Sequence, residues 1–234
     1  MFFIEAVDRT TREVNQLIRR AIEQGEHDIH VYDPRGRHSL GVAFFQPVHL
    51  IFGGSVGFYC GAMGDGPTVE IQGSAGWSTG EGLQSGSVVV RGHAGNATGA
   101  AIHGGIVCVH GNAAARTGIG MVGGMVVIGG NVGFMSGFMM HDGDLIVCGN
   151  ASERLGHGMK GGRIYVAGAV KQLGEGVTEA ELTPDERTRV EGIAATAGLS
   201  YARPFRKYTA NSAGGGTANA VDIGGAKNSP GLSG

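Results

Sequence analysis

From Leu50 onward the apolar residues fall into columns nineteen positions apart. One column reads Leu50, Val69, Val88, Val107, Val126, Leu145 and Ile164; a second, two residues on, reads Phe52, Ile71, Val90, Val109, Ile128, Val147 and Val166. Largely β-branched residues at a spacing of two describe a strand with one buried face. A third column (Val56, Ala75, Ala94, Ala113, Val132, Ala151, Val170) is smaller but apolar, and a fourth (Leu83, Ile102, Met121, Met140, Met159) adds bulk on another side. Glycine keeps the same beat, in one column from Gly54 to Gly168, in another from Gly61 to Gly156, and in a third from Gly86 to Gly162. Each unit therefore reads as strand, Gly corner, short apolar segment, second Gly corner, short segment, Gly pair. That is one turn of a β-solenoid, with glycine where the chain bends sharply between faces.

The predicted fold class is all-β: a single-stranded β-helix of about seven 19-residue coils with short flanking helices. Coils stacked at about 4.8 Å give a rod of roughly 34 Å. One coil buries too few side chains to offset the ordering of its own backbone, so neighbouring coils must stabilise one another. Stacking also predicts rows of like residues: Thr79, Thr98, Thr117 and Ser136, and Asn112, Asn131 and Asn150, whose amides are expected to hydrogen-bond along the axis.

Outside the periodic region the pattern changes. Val14, Leu17, Ile18, Ala21 and Ile22 recur at helical spacing, Thr10 with Glu13 forms a capping box, and Gly25 ends the helix. Ile29 and Val31 predict a strand, Pro34-Arg35-Gly36 a turn, and Leu40 to Phe44 a further strand entering the rod. Beyond the rod, Thr183-Pro184-Asp185-Glu186 opens a helix whose face is Val190, Ile193, Ala194 and Ala197, and Gly198 stops it. The expected organisation is an N-terminal helix with lead-in strands over 1–47, the β-helix over 48–176, and a C-terminal helix and docking segment over 177–208. A Gly-, Ala-, Asn- and Ser-rich tail over 209–234 is expected to be disordered. A solenoid has open strand edges at both tips, and the N-terminal helix is expected either to cap one or to contact another chain.

Composition narrows the class. The chain has 46 Gly among 234 residues, 41% hydrophobic and 16% charged residues, and a net charge of -2. It is neither a disordered polyelectrolyte nor a basic nucleic-acid binder, and Gly without a three-residue period, with six Pro, excludes collagen. Three cysteines (Cys60, Cys108, Cys148) are too few, and odd in number, for a secreted disulfide scaffold. The N-terminus shows no signal-peptide h-region. The uncharged stretch between Arg116 and Asp142 imitates a membrane span, but its eight glycines follow the nineteen-residue repeat. A cytoplasmic chain with no membrane or nucleic-acid partner is expected.

The period decides which candidate chemical groups can meet. No two cysteines share a column, and His103 and His141, which do, lie two coils or about 10 Å apart with Val122 between. Gly118-Ile119-Gly120-Met121-Val122-Gly123 matches G-x-G-x-x-G, but strands rather than a helix follow it, so no Rossmann loop is expected. Arg116 and Arg154 share a column suited to an anion or simply to solvent, and Glu153 and His157 read as surface residues. The rows lack the Thr-x-Thr faces of an ice-binding solenoid. No catalytic, cofactor-binding or metal-ligating residue is assigned in this chain.

The G-x-x-G-x-x-x-G units, as in Gly73-Ser74-Ala75-Gly76-Trp77-Ser78-Thr79-Gly80 and Gly54-Ser55-Val56-Gly57-Phe58-Tyr59-Cys60-Gly61, resemble the C-terminal domain of the glutamate synthase large subunit. The opening Asp8-Arg9-Thr10-Thr11-Arg12-Glu13-Val14-Asn15 is similar to the helix that precedes that domain. The resemblance runs from about residue 5 to residue 208 and implies a right-handed β-helix. As a free-standing chain, with Met135 to Met139, Leu145 to Gly149 and Ile164 to Val166, it most resembles the separately encoded version in N-methylglutamate synthase. That resemblance implies a complex making N-methylglutamate from methylamine and glutamate. It would contain a glutaminase-like amidotransferase subunit and an FMN-containing synthase subunit that also holds an iron–sulfur cluster. The present chain would serve as a scaffold. The β-helix subunit of formylmethanofuran dehydrogenase and a stand-alone structural solenoid are the alternatives; the leader helix argues against the former.

Overall fold

The computed structural model describes residues 1–211, and within them one sheet runs the length of the molecule. Its strands are β1 (Phe2–Glu5), β2 (Asp28–Tyr32), β3 (His49–Gly53), β4 (Asp65–Ile71), β5 (Ser85–Val90), β6 (Ile106–Val109), β7 (Val122–Ile128), β8 (Asp142–Val147), β9 (Arg163–Val166), β10 (Val177–Ala180) and β11 (Arg206–Ala210). β1 to β9 pair in parallel in chain order, and β11 inserts antiparallel between β9 and β10. The helices are α1 (Thr11–Glu23) and α2 (Pro184–Thr196).

The register is the sequence period made physical. Leu50 pairs with Val69, Val69 with Val88, and so on to Ile164, so each strand sits nineteen residues above the last. The winding begins earlier with a longer coil, because Ile29 pairs with Leu50 at a spacing of twenty-one. Both strand columns are wholly buried. The third column forms a second parallel ladder of single bridges running from Ala75 through Ala94, Ala113, Val132 and Ala151 to Val170. The protein is a β-solenoid of about seven turns whose lumen is filled by these rows.

The predicted strand over Leu40–Phe44 is instead an arc of turns. Ser39, Gly41 and Ala43 all have positive φ, at 56°, 67° and 56°, and the same alternation recurs in every coil, for example at Ala97, Gly99 and Ala101. Alternation aims successive amides in opposite directions along the axis: Ser78 and Gly82 donate to Asn96 and Ala100 in the next coil, while Gly80 donates back to Cys60. Holding a non-glycine residue left-handed costs roughly 1–2 kcal/mol, and satisfying each amide of a tight arc against a neighbouring coil offsets it. Leu40 and Phe44 are buried as expected, but from the arc rather than from a strand.

The lumen is covered at both tips from within the chain, and the sheet ends in the edge strands β1 and β10. α1, with its Thr10–Glu13 capping box formed, buries Val14, Ile18 and Ala21 over the first coil. Asn15 acts as a substitute for the missing coil: its amide donates to the Ser39 carbonyl at 2.8 Å and accepts from Gly41 N–H at 3.0 Å. Arg19 reaches the Val42 and Ala43 carbonyls and lies 4.4 Å over the Phe44 ring. At the other end β11 covers β9 and drops Tyr208 into the lumen. Disorder was expected from Thr209, but Thr209 and Ala210 are strand residues paired with Thr178 and Val177; residues 212–234 lie outside the described residues. α2, capped by Thr183 and Glu186, packs on the outer sheet face, burying Val190 and Ala194 against Ile146 and Tyr165.

Candidate functional site

The polar columns are occupied in hydrogen bonds to backbone, within a coil for the threonine row and between coils for the asparagine row. In the threonine row, buried Thr79, Thr98, Thr117 and Ser136 each donate a hydroxyl hydrogen bond of 2.9–3.0 Å to the carbonyl three residues back. Cys60 is the same column's earlier rung and Leu155 its later one, so hydroxyls line only the middle of the rod.

The asparagine row does not bond amide to amide. Asn112 and Asn131 each accept, through Oδ1, the backbone N–H of the next asparagine at 2.8 and 2.7 Å, and Asn150 accepts that of Ala169 at 2.8 Å. Just past the corner that N–H has no strand partner, and an unpaired backbone donor captures the acceptor first. Any acceptor of the right reach serves, which explains why Ser55, Ser74 and His93 occupy the same column and accept from Ser74, His93 and Asn112.

The residues weighed for chemistry are dispersed. Cys60 faces the lumen and burial pushes its thiol far up, whereas Cys108 and Cys148 lie on the outer face beneath α2. Burial also raises Cys108, and it raises Cys148 to about 11. An iron–sulfur cluster needs converging thiolates, and these thiols neither converge nor ionise near neutrality. Among the described residues no three of His, Cys, Asp and Glu come together as metal ligands. His103 and His141 are exposed. Arg116 is exposed, and Arg154 lies 5.9 Å over the Phe134 ring. Glu153 pairs with Lys171 at 2.7 Å. His157 is half-buried rather than simply at the surface, stacked 5.8 Å from Phe138 and accepting the Glu175 N–H at 3.1 Å. Gly118 and Gly120 have positive φ in a corner arc, and β7 follows.

The sequence reading missed the ionic cluster under α2. Asp144, only 6% exposed in its side chain, accepts from Arg163 at 2.6 Å and from Arg189 at 2.8 Å, and Arg189 also donates to the Tyr165 hydroxyl. Burial raises the Tyr165 pKa, with the Asp144 charge adding to it. The Asp144 hydrogen bond raises that of Arg163. Asp144 and Arg163 are nineteen apart, so the period held that signal; Arg189, from α2, is off the period and was not recoverable from it.

Fold and polar chemistry together define a class, the glycine-cornered β-solenoid whose hydrogen-bonding side chains serve the stack. The chain matches the GXGXG motif family over residues 39–200, most of its length, and belongs to it, in the family of the glutamate synthase C-terminal domain. Protein GlxC of Rhizobium meliloti (strain 1021) is 40% identical to it over 85 residues, 36% of this chain and 37% of that protein. The chain thus spans little more than a third of that relative's length. Among the described residues no helix is long and apolar enough to cross a membrane.

Proposed function

We propose that this chain is the non-catalytic β-helix scaffold of a glutamate synthase-like enzyme that makes N-methylglutamate and ammonia from methylamine and glutamate. A glutaminase-like subunit and an FMN-containing synthase subunit carry the chemistry, and FMN and the iron–sulfur cluster are bound there. The reading rests on one observation above all: within a GXGXG motif chain, the polar side chains set in register are consumed by hydrogen bonds to backbone, the asparagine row from coil to coil and the threonine row within each coil. A stiff rod held this way keeps two partners at fixed separation and shields a labile amine passing between them, the entropic contribution of proximity.

The test is deletion and add-back. An extract lacking this chain should lose methylamine-dependent formation of N-methylglutamate and regain it when the purified chain is returned. Undiminished formation in the deleted extract would contradict the proposal.

A further inference from the structure

The exposed large apolar side chains are not spread evenly over the rod. Phe58, Tyr59, Met63, Trp77, Phe134 and Met139 are 38–53% exposed, and all six project from one face, the corner arc. They form two ridges. Phe58 and Trp77 stack at 5.2 Å, with His38 4.4 Å beyond Phe58. Phe134 and Met139 make the second ridge, three coils further along. Between them the equivalent positions are Asn96, Ala97 and Ala101, then Ala115, Arg116 and Gly120. At about 4.8 Å per coil the ridges stand about 14 Å apart, and a helix with its side chains is about 10–12 Å wide.

Two arginines face the trough and the far ridge, and one carboxylate, Glu81, lies in the arc at the near ridge. The Arg116 side chain, exposed in the trough, has no ion-pair or hydrogen-bond partner among the described residues, and the Arg154 guanidinium rests on Phe134 at the far ridge. Glu153 beside it is already held by Lys171. Exposed Trp, Tyr, Phe and Met with Arg is the composition of a protein interface core, where Lys and Glu are depleted. A second copy of this chain would bring two guanidiniums and the single carboxylate of Glu81, a net like charge against Arg116, and two cations on a chain of net charge -2 are a poor match for a phosphate backbone.

We infer that this corner face is the docking surface for a helix of a partner subunit, laid across the rod between the Trp77 and Phe134 ridges with a carboxylate set against Arg116. The inference rests on the scaffold reading and names the face that does the scaffolding.

The experiment places a photo-crosslinking amino acid at position 77, at 134, or at the exposed Ile106 on the sheet face, in the full chain recovered with its complex from the native host. Crosslinks from 77 and 134, but not 106, to an acidic helix of one partner subunit are expected. Trp77→Ser with Phe134→Ser should weaken association at least tenfold, and Arg116→Glu should weaken it too, with unchanged melting in each case; Ile106→Ser should change nothing. Crosslinks only to a second copy, or full-strength association of the double variant, would overturn the inference. Capture from 77 and 134 of a partner unrelated to glutamate synthase would keep the docking face and remove the proposed function. A glutamate synthase-like partner captured only from 106 would do the reverse.

Discussion

Gly99 sits at the centre of a corner arc with φ of 65°, and a Cβ built there would lie 2.5 Å from Cγ2 of Val126. Gly120 has nearly the same backbone, φ 63°, but a Cβ there meets nothing within 4 Å. Alanine at either position carries the left-handed penalty of roughly 1–2 kcal/mol. At 99 it also overpacks a lumen whose β-branched neighbour cannot swing aside, adding about 1–3 kcal/mol. Gly99→Ala should therefore lose about 2–5 kcal/mol, or on the order of 5–15 °C in Tm for a domain of this size, against a few degrees for Gly120→Ala. Val126→Ala removes the clashing methyl, so the double variant should be more stable than the two single losses predict by about 1–3 kcal/mol. Urea unfolding of the full chain with an unchanged m-value measures all four corners of the cycle. Equal losses at 99 and 120, or strict additivity with Val126→Ala, would mean that the corner glycines are not packed against the strand columns.

Other perturbations separate the remaining interactions. Asn131→Ala removes the acceptor for the Asn150 N–H at a water-accessible rung and should cost about 1 kcal/mol by thermal unfolding, whereas Asn131→Asp should retain most of it. Asp144→Ala leaves Arg163 and Arg189 without their shared carboxylate; with both cations well exposed, a loss of about 1–3 kcal/mol is expected, and faster hydrogen exchange in α2 should accompany it. Lys207, bonding at 2.8 Å, lowers the Glu186 pKa from 4.5 to about 2. Because the folded value is depressed, this contribution is fully present above about pH 4.5 and is lost as pH falls toward 2. Glu186→Gln should flatten that part of the stability profile and leave the rest unchanged. Cys60, Cys108 and Cys148 are buried with raised pKa values, so a thiol reagent at pH 7.5 should label them only after denaturant is added.

The nineteen-residue columns made the lumen legible before any coordinates, because in a stacked rod a side chain's neighbour is its own counterpart one coil away; Leu50 meeting Val69 needs no tertiary information. The Thr10–Glu13 capping box and the Pro184 helix start are legible for the same reason, being local. The arc over residues 40–44 reads from sequence as a strand, since alternating apolar residues look alike whether the backbone is extended or alternates the sign of φ, and Ala43 carries no mark of its positive angle. The Asn ladder is visible in the sequence but its partner is not, because backbone donors left over at a corner leave no trace in a side-chain pattern. Asn15 replacing a missing coil, and Arg189 reaching Asp144 from α2, depend on helices docked across the period rather than along it.

The sharpest measurement is the flavin and iron content of this chain, separated from its complex under conditions that keep it folded. The scaffold reading requires the isolated chain to carry neither group and to turn over neither glutamate nor methylamine, with both groups recovered in a partner. Stoichiometric flavin or iron retained by this chain alone, or turnover by it, would contradict that reading.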